Sequence, residues 1–229
     1  MTLFFRLKFN GITGDYRLMP RIRSYCGGFT QTNGYLIESA AGAKIVVDAP
    51  DGMAEWLEEE GIAPDVLLLT HAHFDHVIDA ARIRDRFSCP IQAFTAPDLD
   101  LTLETVYQDL GVRVESYLVD ETIFGGSRIV VGDLVFDCFH VPGHSPDSLC
   151  FFLPTTDPQE RPHLFGGDVL FHGSVGRTDF PHGDHAALIR GIREQLFALS
   201  DDTIVYPGHG PVTNIGVEKA TNPVAGVRA

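Results

Sequence analysis

The stretch T-H-A-H-F-D-H-V, residues 70–77, places three histidines and one aspartate within six positions. It continues the apolar run D-V-L-L-L-T, residues 65–70, which is typical of a strand buried on both faces. His71 and His73 are two positions apart, so in an extended segment their side chains point the same way. Imidazole binds zinc or iron, and a carboxylate neutralises charge. The stretch therefore predicts metal ligands at the carboxyl end of a strand, where α/β sheets build their sites.

Three more candidate ligands occupy the same kind of position, at the end of a strand and beside a glycine or proline turn. They are His144 in V-P-G-H-S-P, Asp168 in L-F-G-G-D and His209 in Y-P-G-H-G-P. Glycine allows a tight turn and leaves room beside an ion. Because ionisable groups buried in this number without partners would destabilise the fold, a metal site is favoured over ordinary buried histidines. The predicted ligands, enough for two metals, are His71, His73, Asp75, His76, His144, Asp168 and His209.

Around these motifs, short apolar runs alternate with amphipathic segments. The patterns predict helices over residues 51–61, 76–87, 98–110 and 184–199. They predict strands over residues 35–38, 44–48, 65–70, 89–94, 127–132, 134–140, 148–153, 163–168 and 203–206. Asp51 is expected to cap the first helix, and Gly61 to end it. Both halves of the chain thus hold several strands and a long helix, which is compatible with sheets stacked face to face and helices outside.

The composition narrows the class of protein. The chain has 229 residues, of which 44% are hydrophobic and 21% charged, as in ordinary soluble domains. A formal net charge of −14 repels phosphate backbones, so nucleic acid is not an expected partner. No apolar stretch approaches the roughly 20 residues that span a bilayer, so no membrane partner is expected either.

The cysteines and the N-terminus favour a cytoplasmic protein. Residues 1–10, M-T-L-F-F-R-L-K-F-N, lack the features of a signal peptide and predict a strand. None of the four cysteines forms a C-x-x-C pair, and we expect all of them to be buried, reduced thiols. They are Cys26, Cys89, Cys138 and Cys150.

The ligand motifs, T-H-A-H-F-D-H, G-H-S-P, G-D and G-H, resemble those of the metallo-β-lactamase superfamily from about residue 25 to residue 223. Two longer stretches, residues 165–184 and 205–223, resemble the short, single-domain glyoxalase II-like hydrolases. The resemblance implies an α/β fold, a four-layer αββα sandwich formed by one domain over residues 1–229, with pseudo-repeated halves of about 1–115 and 116–229. It also implies a dinuclear site at the sandwich edge and thioester hydrolysis.

The resemblance further implies how the ligands are divided. One ion would be held by His71, His73 and His144, the second by Asp75, His76 and His209, with Asp168 as the bridge. Zinc is the expected metal, with iron and manganese as alternatives. Asp75 and Asp168 are the expected catalytic residues, and a hydroxide shared by the ions would attack the thioester carbonyl. Arg177 matches a basic residue that contacts the thiol carrier; a structural ion pair is the alternative for it.

Departures from the family pattern concern the pocket and the substrate. Ile78 and Asp79 replace small residues, and Asp147 replaces a glycine of the usual G-H-T-P-G, so the pocket could be reshaped while every ligand remains. Only about twenty residues follow His209, without the helical domain that binds glutathione in full-length glyoxalase II. The expected partner is a small-molecule thioester, with a glutathione conjugate as one option. Homo-oligomer formation is compatible with the sequence.

Other functions remain as alternatives. A persulfide dioxygenase would bind one iron through His71, His144 and Asp168, and such relatives share the stretch G-R-T-D-F. Lactone hydrolysis would use the same two ions. A binding protein with a vestigial site is disfavoured because no ligand is missing. β-Lactamase activity is disfavoured because no export signal is visible, and nuclease activity by the net charge.

Overall fold

A computed structural model describes residues 20–155, 157 and 159–227. The strand predicted over residues 1–10 lies outside these described residues. The described strands form two six-stranded sheets and one two-stranded hairpin. Among the described residues, no helix has the length and apolar character needed to cross a membrane.

The first sheet has the strand order β1-β2-β3-β4-β5-β6. Its strands are β1 (Arg21–Gly27), β2 (Thr32–Glu38), β3 (Lys44–Val47), β4 (Val66–Leu68), β5 (Ile91–Ala93) and β6 (Glu121–Thr122). The first three strands pair antiparallel, and β3 to β6 pair parallel, so the crossovers carry helices. These helices are α1 (Met53–Glu59), α2 (Phe74–Val77), α3 (Ala80–Phe87) and α4 (Glu104–Tyr107).

The second sheet has the strand order β14-β13-β10-β9-β8-β7. Its strands are β7 (Arg128–Val131), β8 (Leu134–His140), β9 (Leu149–Leu153), β10 (His163–Gly167), β13 (Ile204–Pro207) and β14 (Thr213–Asn214). The hairpin strands β11 (Leu170–Phe171) and β12 (Ser174–Val175) follow β10 directly. The helices of this half are α5 (His185–Glu194) and α6 (Ile215–Thr221).

Alternation along the strands creates three layers of core. In β2, Tyr35 and Ile37 face the second sheet, where they belong to one cluster with Phe136 and Phe165, whereas Leu36 faces the helices. A separate cluster packs α1 and α3 on the first sheet, and another packs α5 and α6 on the second. The arrangement is helix, sheet, sheet, helix, which confirms the predicted αββα sandwich.

Tertiary hydrogen bonds divide the helix that was predicted over residues 76–87. The backbone N–H of Asp79 donates to the carbonyl oxygen of Ala49 at 3.0 Å, and the N–H of Ala49 donates to the carbonyl of His76 at 2.7 Å. These bonds hold the chain between α2 and α3 against the loop after β3, so the helix stops after Val77 and restarts at Ala80. The local pattern could not predict this interruption.

Other predicted elements needed correction at their ends. α1 begins after Gly52 and has no side-chain cap, so the expected capping by Asp51 is wrong, while Gly61 follows the helix with φ +68° as expected. The helix predicted over 98–110 is reduced to α4 and a 3₁₀ turn, because Leu103 adopts a left-handed conformation. The pattern over 184–199 yields α5 and a second 3₁₀ turn. The strands β1, β6, β11, β12 and β14 and the helix α6 were not predicted.

All four cysteines are free, and three are buried, but Cys26 is exposed on the edge strand β1, so the expectation of four buried thiols is wrong there.

The first sheet ends at Thr122 and the second begins at Arg128. A single domain with halves that divide near residue 115 stays a prediction.

Candidate metal centre

All seven predicted ligands lie at one edge of the sandwich, where strands of both sheets end. His71 and His73 follow β4, and Asp75 and His76 lie on the short helix α2. In the second half, the ligands follow three strands, β8, β10 and β13. These ligands are His144, Asp168 and His209. The site therefore forms only when the two sheets pack together.

Hydrogen bonds between the sheets hold this edge closed. The side-chain amide of Asn33, on β2, donates to the carbonyl oxygens of Pro207 and Gly210, each at 3.0 Å. The hydroxyl of Tyr35 donates to the same carbonyl of Pro207 at 2.6 Å. These bonds fix the loop that carries His209 against the first sheet.

The ligand atoms fall into three groups within which all atoms lie no more than 4.8 Å apart. The groups are His71, His73 and His144; His71, His76 and Asp168; and Asp75, His76 and His209. The first and third are the two sets expected for two ions. The second joins Asp168 to one histidine from each set, which is the position that a bridging carboxylate would need.

Distances around Asp168 match those between ligands that share an ion. Its Oδ1 lies 3.3 Å from Nε2 of His76, and its Oδ2 lies 3.4 Å from Nε2 of His144 and 3.3 Å from Nε2 of His209. Four ligands at about 2.0–2.1 Å from a tetrahedral ion are about 3.3–3.4 Å from one another. The spacing thus fits first-row divalent metals.

Unpaired buried atoms supply an independent test of whether a metal fits. Among the described residues, Nε2 of His71, Nε2 of His76 and Oδ1 of Asp168 are buried and make no hydrogen bond of regular geometry, and the last two atoms only face each other at 3.3 Å. A buried polar atom without a partner costs about 1–3 kcal/mol. A bound cation would give all three atoms a partner, so the residues fit a divalent metal site.

Gly208 leaves the space that such an ion requires. A Cβ at this position would lie 2.2 Å from Oδ1 of Asp168 and 2.6 Å from Cε1 of His76. Any larger residue would therefore displace ligand side chains from both halves of the chain. The glycine before His209 has a steric role at the site.

Asp48, which was not among the predicted site residues, orients two of the histidines. Its Oδ2 lies 2.8 Å from Nδ1 of His76, and its carboxylate accepts hydrogen bonds from the N–H and hydroxyl of Thr70. The same hydroxyl lies 3.1 Å from Nδ1 of His71. With Nδ1 donating, Nε2 of each ring is left for a metal. Asp48 is the last residue of the predicted strand K-I-V-V-D, 44–48, and directly follows β3, so its position at the end of a strand could have identified it.

His144 is oriented by the backbone of the loop that contains Arg177. Its Nδ1 donates to the carbonyl oxygen of Arg177 at 2.7 Å, which leaves Nε2 facing Asp168 and His73. The ring of Phe180 packs edge-on against His73, with centroids 5.6 Å apart. The segment 177–180 thus forms one wall of the site.

The electrostatics of the ligand cluster favour cations. Burial and, to a smaller extent, nearby His144 together lower the pKa of His73 to about 3. Burial alone would also lower the pKa of His209, but contacts with Asp168 and Asp75 outweigh it and raise that pKa to about 10. Burial opposes ionisation of Asp75, yet His76 and His209 hold its pKa at about 2. The carboxylates therefore remain charged at neutral pH and attract either protons or metal.

The side chain of Arg177 makes an ion pair and a cation–π contact within the protein. Its Nε lies 2.6 Å from Oδ1 of Asp179, and its guanidinium stacks 4.2 Å from the ring centroid of Phe180. The structural ion pair considered for this residue is therefore present. Because the side chain is more than half exposed beside the site wall, contact with a substrate stays a prediction.

Two of the three departures from the family pattern brace the backbone. Asp79 is buried and accepts a hydrogen bond from the N–H of Ala54 at 3.0 Å. Asp147 is also buried and accepts one from the N–H of Ala72, which lies between His71 and His73, at 2.9 Å. Ile78, in contrast, lines a cleft.

This cleft has a volume of about 190 Å³ and reaches the ligand Asp75. Its lining includes the apolar side chains of Phe74, Ile78, Leu110 and Val112, residues 27–30 at and after the end of β1, and the charged residues Asp51 and Arg113. The hydroxyl of Thr32 donates to Oδ2 of Asp75 at 2.7 Å and fixes that carboxylate in the lining of the cleft. A molecule bound in the cleft would therefore approach the metal ligands directly.

Comparisons with known proteins find relatives that cover most of the chain. A hydroxyacylglutathione hydrolase, GloC of Haemophilus influenzae, is 39% identical over 182 residues, which is 76% of this chain and 84% of that protein. The crystal structure of the BLEG-1 B3 metallo-beta-lactamase is 35% identical with a TM-score of 0.79 and covers 90% of this chain and 99% of its own.

Two further solved structures share the fold over most of the chain. TTHA1623, in a di-iron-bound form, is 34% identical with a TM-score of 0.72 and covers 88% of this chain and 98% of its own. ETHE1 from Myxococcus xanthus is 27% identical with a TM-score of 0.72 and covers 90% of this chain and 84% of its own. The names of these similar proteins include a hydroxyacylglutathione hydrolase and a metallo-beta-lactamase, so similarity alone does not decide the substrate of this chain.

The family model for the metallo-beta-lactamase superfamily matches residues 27–209, which include all seven predicted ligands. The match and the histidine-aspartate cluster together indicate a metal-dependent hydrolase. The chain belongs to the metallo-beta-lactamase superfamily.

Proposed function

We propose that this protein is a dinuclear thioester hydrolase of the hydroxyacylglutathione hydrolase type. The observation that carries the proposal is the position of Asp168, whose two oxygens lie 3.3–3.4 Å from histidines of both ligand sets. Retention of His209, 3.3 Å from Asp75, supports a second ion. The 39% identity to a hydroxyacylglutathione hydrolase supports a thioester substrate.

The ligands would be divided as the resemblance implies. His71, His73 and His144 would hold one cation, and Asp75, His76 and His209 the other, with Asp168 between them. Imidazole nitrogens and carboxylate oxygens suit zinc, which we propose as the metal. Iron and manganese remain alternatives, and the di-iron form of TTHA1623 supports iron.

When bound, the two cations would supply a Lewis acid for the thioester carbonyl and a water of lowered pKa. Asp75 has one oxygen fixed by Thr32 at 2.7 Å, which leaves its carboxylate able to orient an attacking water by hydrogen bonding. Phe180 and Phe74 would exclude bulk water on either side of the site. Arg177 would pair with a substrate carboxylate by exchanging its contact with Asp179.

The direct experiment is hydrolysis of S-lactoylglutathione by protein loaded with zinc. We expect turnover that requires metal and that falls as pH drops, because contacts with Asp168 and Asp75 raise the pKa of His209 to about 10 against the effect of burial, so protons compete with a cation for this imidazole. Hydrolysis that survives complete removal of metal, or a profile that is flat down to pH 4, would rule out this mechanism.

A persulfide dioxygenase is the second candidate. The stretch G-R-T-D-F and the similarity to ETHE1 over 90% of this chain favour it. It would use one iron at His71, His144 and Asp168. One iron per chain together with oxygen consumption on glutathione persulfide would establish this function in place of the first. A β-lactam and lactone panel on the same protein would detect the remaining family activities.

A further inference from the structure

The cleft beside Asp75 is lined by one positive and one negative side chain in addition to Asp75 itself. Arg113 and Asp51 both line this cleft, and both are exposed. Among the described residues, neither the Arg113 guanidinium nor the Asp51 carboxylate makes a hydrogen bond or ion pair. Several other arginines of this acidic chain, such as Arg84 and Arg86, pair with carboxylates. Two opposite charges that share a cleft without pairing remain available to a ligand.

The backbone holds both residues in place. Val112 is buried in a cluster with Phe74, and the N–H of Val114 donates to Oε1 of Glu104 at 3.0 Å, so Arg113 is flanked by two anchored residues. Next to Asp51, Gly27 packs so closely that a Cβ would lie 2.1 Å from the carbonyl oxygen of Asp51. The two charges are therefore presented from fixed segments.

The size of the cleft limits what it can hold. About 190 Å³ is less than the roughly 300–1,000 Å³ of pockets that enclose a whole small molecule. The cleft would accommodate one end of a substrate whose reacting group lies at Asp75. Its lining combines apolar side chains with the cation of Arg113 and the anion of Asp51, which complement a group that carries both a carboxylate and an ammonium.

We propose that Arg113 and Asp51 are specificity-determining residues that bind the zwitterionic amino-acid end of the thiol carrier. Arg113 would bind the carboxylate, and Asp51 the ammonium group. This inference rests on the proposed thioesterase function for the position of the reacting group. It names the class of carrier: a thiol that bears an α-amino-acid end, such as glutathione.

The test compares two thioesters that share a lactoyl group, S-lactoylglutathione and the uncharged S-lactoyl-N-acetylcysteamine. We expect Arg113→Ala to lower kcat/KM for the glutathione thioester about tenfold, which is about 1.4 kcal/mol, and Asp51→Asn to lower it in the same direction. For the uncharged thioester, both variants should change kcat/KM less than about twofold. Arg190→Ala removes an exposed arginine of α5 away from the cleft and serves as the matched control.

Binding of S-methylglutathione, which cannot be hydrolysed, separates this inference from the proposed activity. By calorimetry on metal-loaded protein, we expect Arg113→Ala to weaken the Kd about tenfold, while Arg190→Ala leaves it unchanged. If neither thioester is hydrolysed but this difference in Kd is found, the activity is wrong and the subsite stands. Absence of S-methylglutathione binding to the wild type, equal Kd values in wild type and Arg113→Ala, or equal kinetic losses for both thioesters would overturn the subsite.

Discussion

Replacement of Asp48 by Asn should weaken the binding of one metal ion while the protein still folds. Asp48 is buried, and its Oδ2 lies 2.8 Å from Nδ1 of His76. Asn keeps the shape of the side chain and one acceptor for the N–H of Thr70, but it can present an N–H₂ donor toward the histidine. His76 would then carry its proton on Nε2, where it cannot bind a metal. The backbone tolerates the change, because Asp48 has φ 61° and Asn adopts this conformation readily.

The contacts of Asp48 indicate how much the substitution should lower the stability of the fold and the affinity for metal. Loss of one hydrogen bond to a charged acceptor costs about 1.5–3 kcal/mol, which is less than the roughly 5–15 kcal/mol that stabilise a domain, so the variant should fold. Loss of an orienting partner typically lowers metal affinity about 10–100-fold, or about 1.4–2.7 kcal/mol. We expect the affinity for the ion that His76 would hold to fall by this factor.

Competition with a chelator of known affinity measures both binding constants. Asp48→Asn should retain one tight ion and show a second that is about 10–100-fold weaker. Asp65→Asn is the matched control. Asp65 is an exposed aspartate outside the metal centre, and its carboxylate accepts a hydrogen bond of 2.7 Å from the N–H of Lys44. Two unchanged affinities in a folded Asp48→Asn protein would refute the orienting role.

Three further predictions concern the same centre. Asp168→Ala should lower bound metal and reduce hydrolysis by at least about 100-fold, and wild-type turnover in this variant would exclude its role. Gly208→Ala should destabilise the protein by about 1–3 kcal/mol in thermal unfolding and weaken metal binding, because its Cβ would lie 2.2 Å from Asp168; an unchanged Tm and affinity would contradict the steric role. Zinc binding at pH 7 should release about two protons in calorimetry across buffers, because contacts with carboxylates raise the pKa of His76 and, to about 10, that of His209; no release would contradict this.

Features encoded by local pattern were predictable from the sequence. The apolar run before His71 had to be a strand buried on both faces, and the spacing of His71 and His73 had to place both side chains on one side. The same rule located the ligands of the second half. Packing of the two sheets then required only that both carry apolar faces, as Ile37 and Phe165 do.

Features that depend on contacts distant in sequence were not predictable. The break between α2 and α3 follows from hydrogen bonds to Ala49, which no periodicity reports. The cleft requires Arg113 to meet the loop after β1, about 85 residues earlier, and its unpaired charge is visible only in three dimensions. The bracing role of Asp147 likewise depends on Ala72, in the other half of the chain.

The most direct test is the number of divalent ions per chain, measured by elemental analysis of protein purified with metal supplied in excess and then freed of unbound metal. Two ions per wild-type chain are expected, and fewer than one in Asp168→Ala. A wild-type protein that retains no stoichiometric metal would show that histidines and carboxylates brought together by both sheets do not form a metal centre.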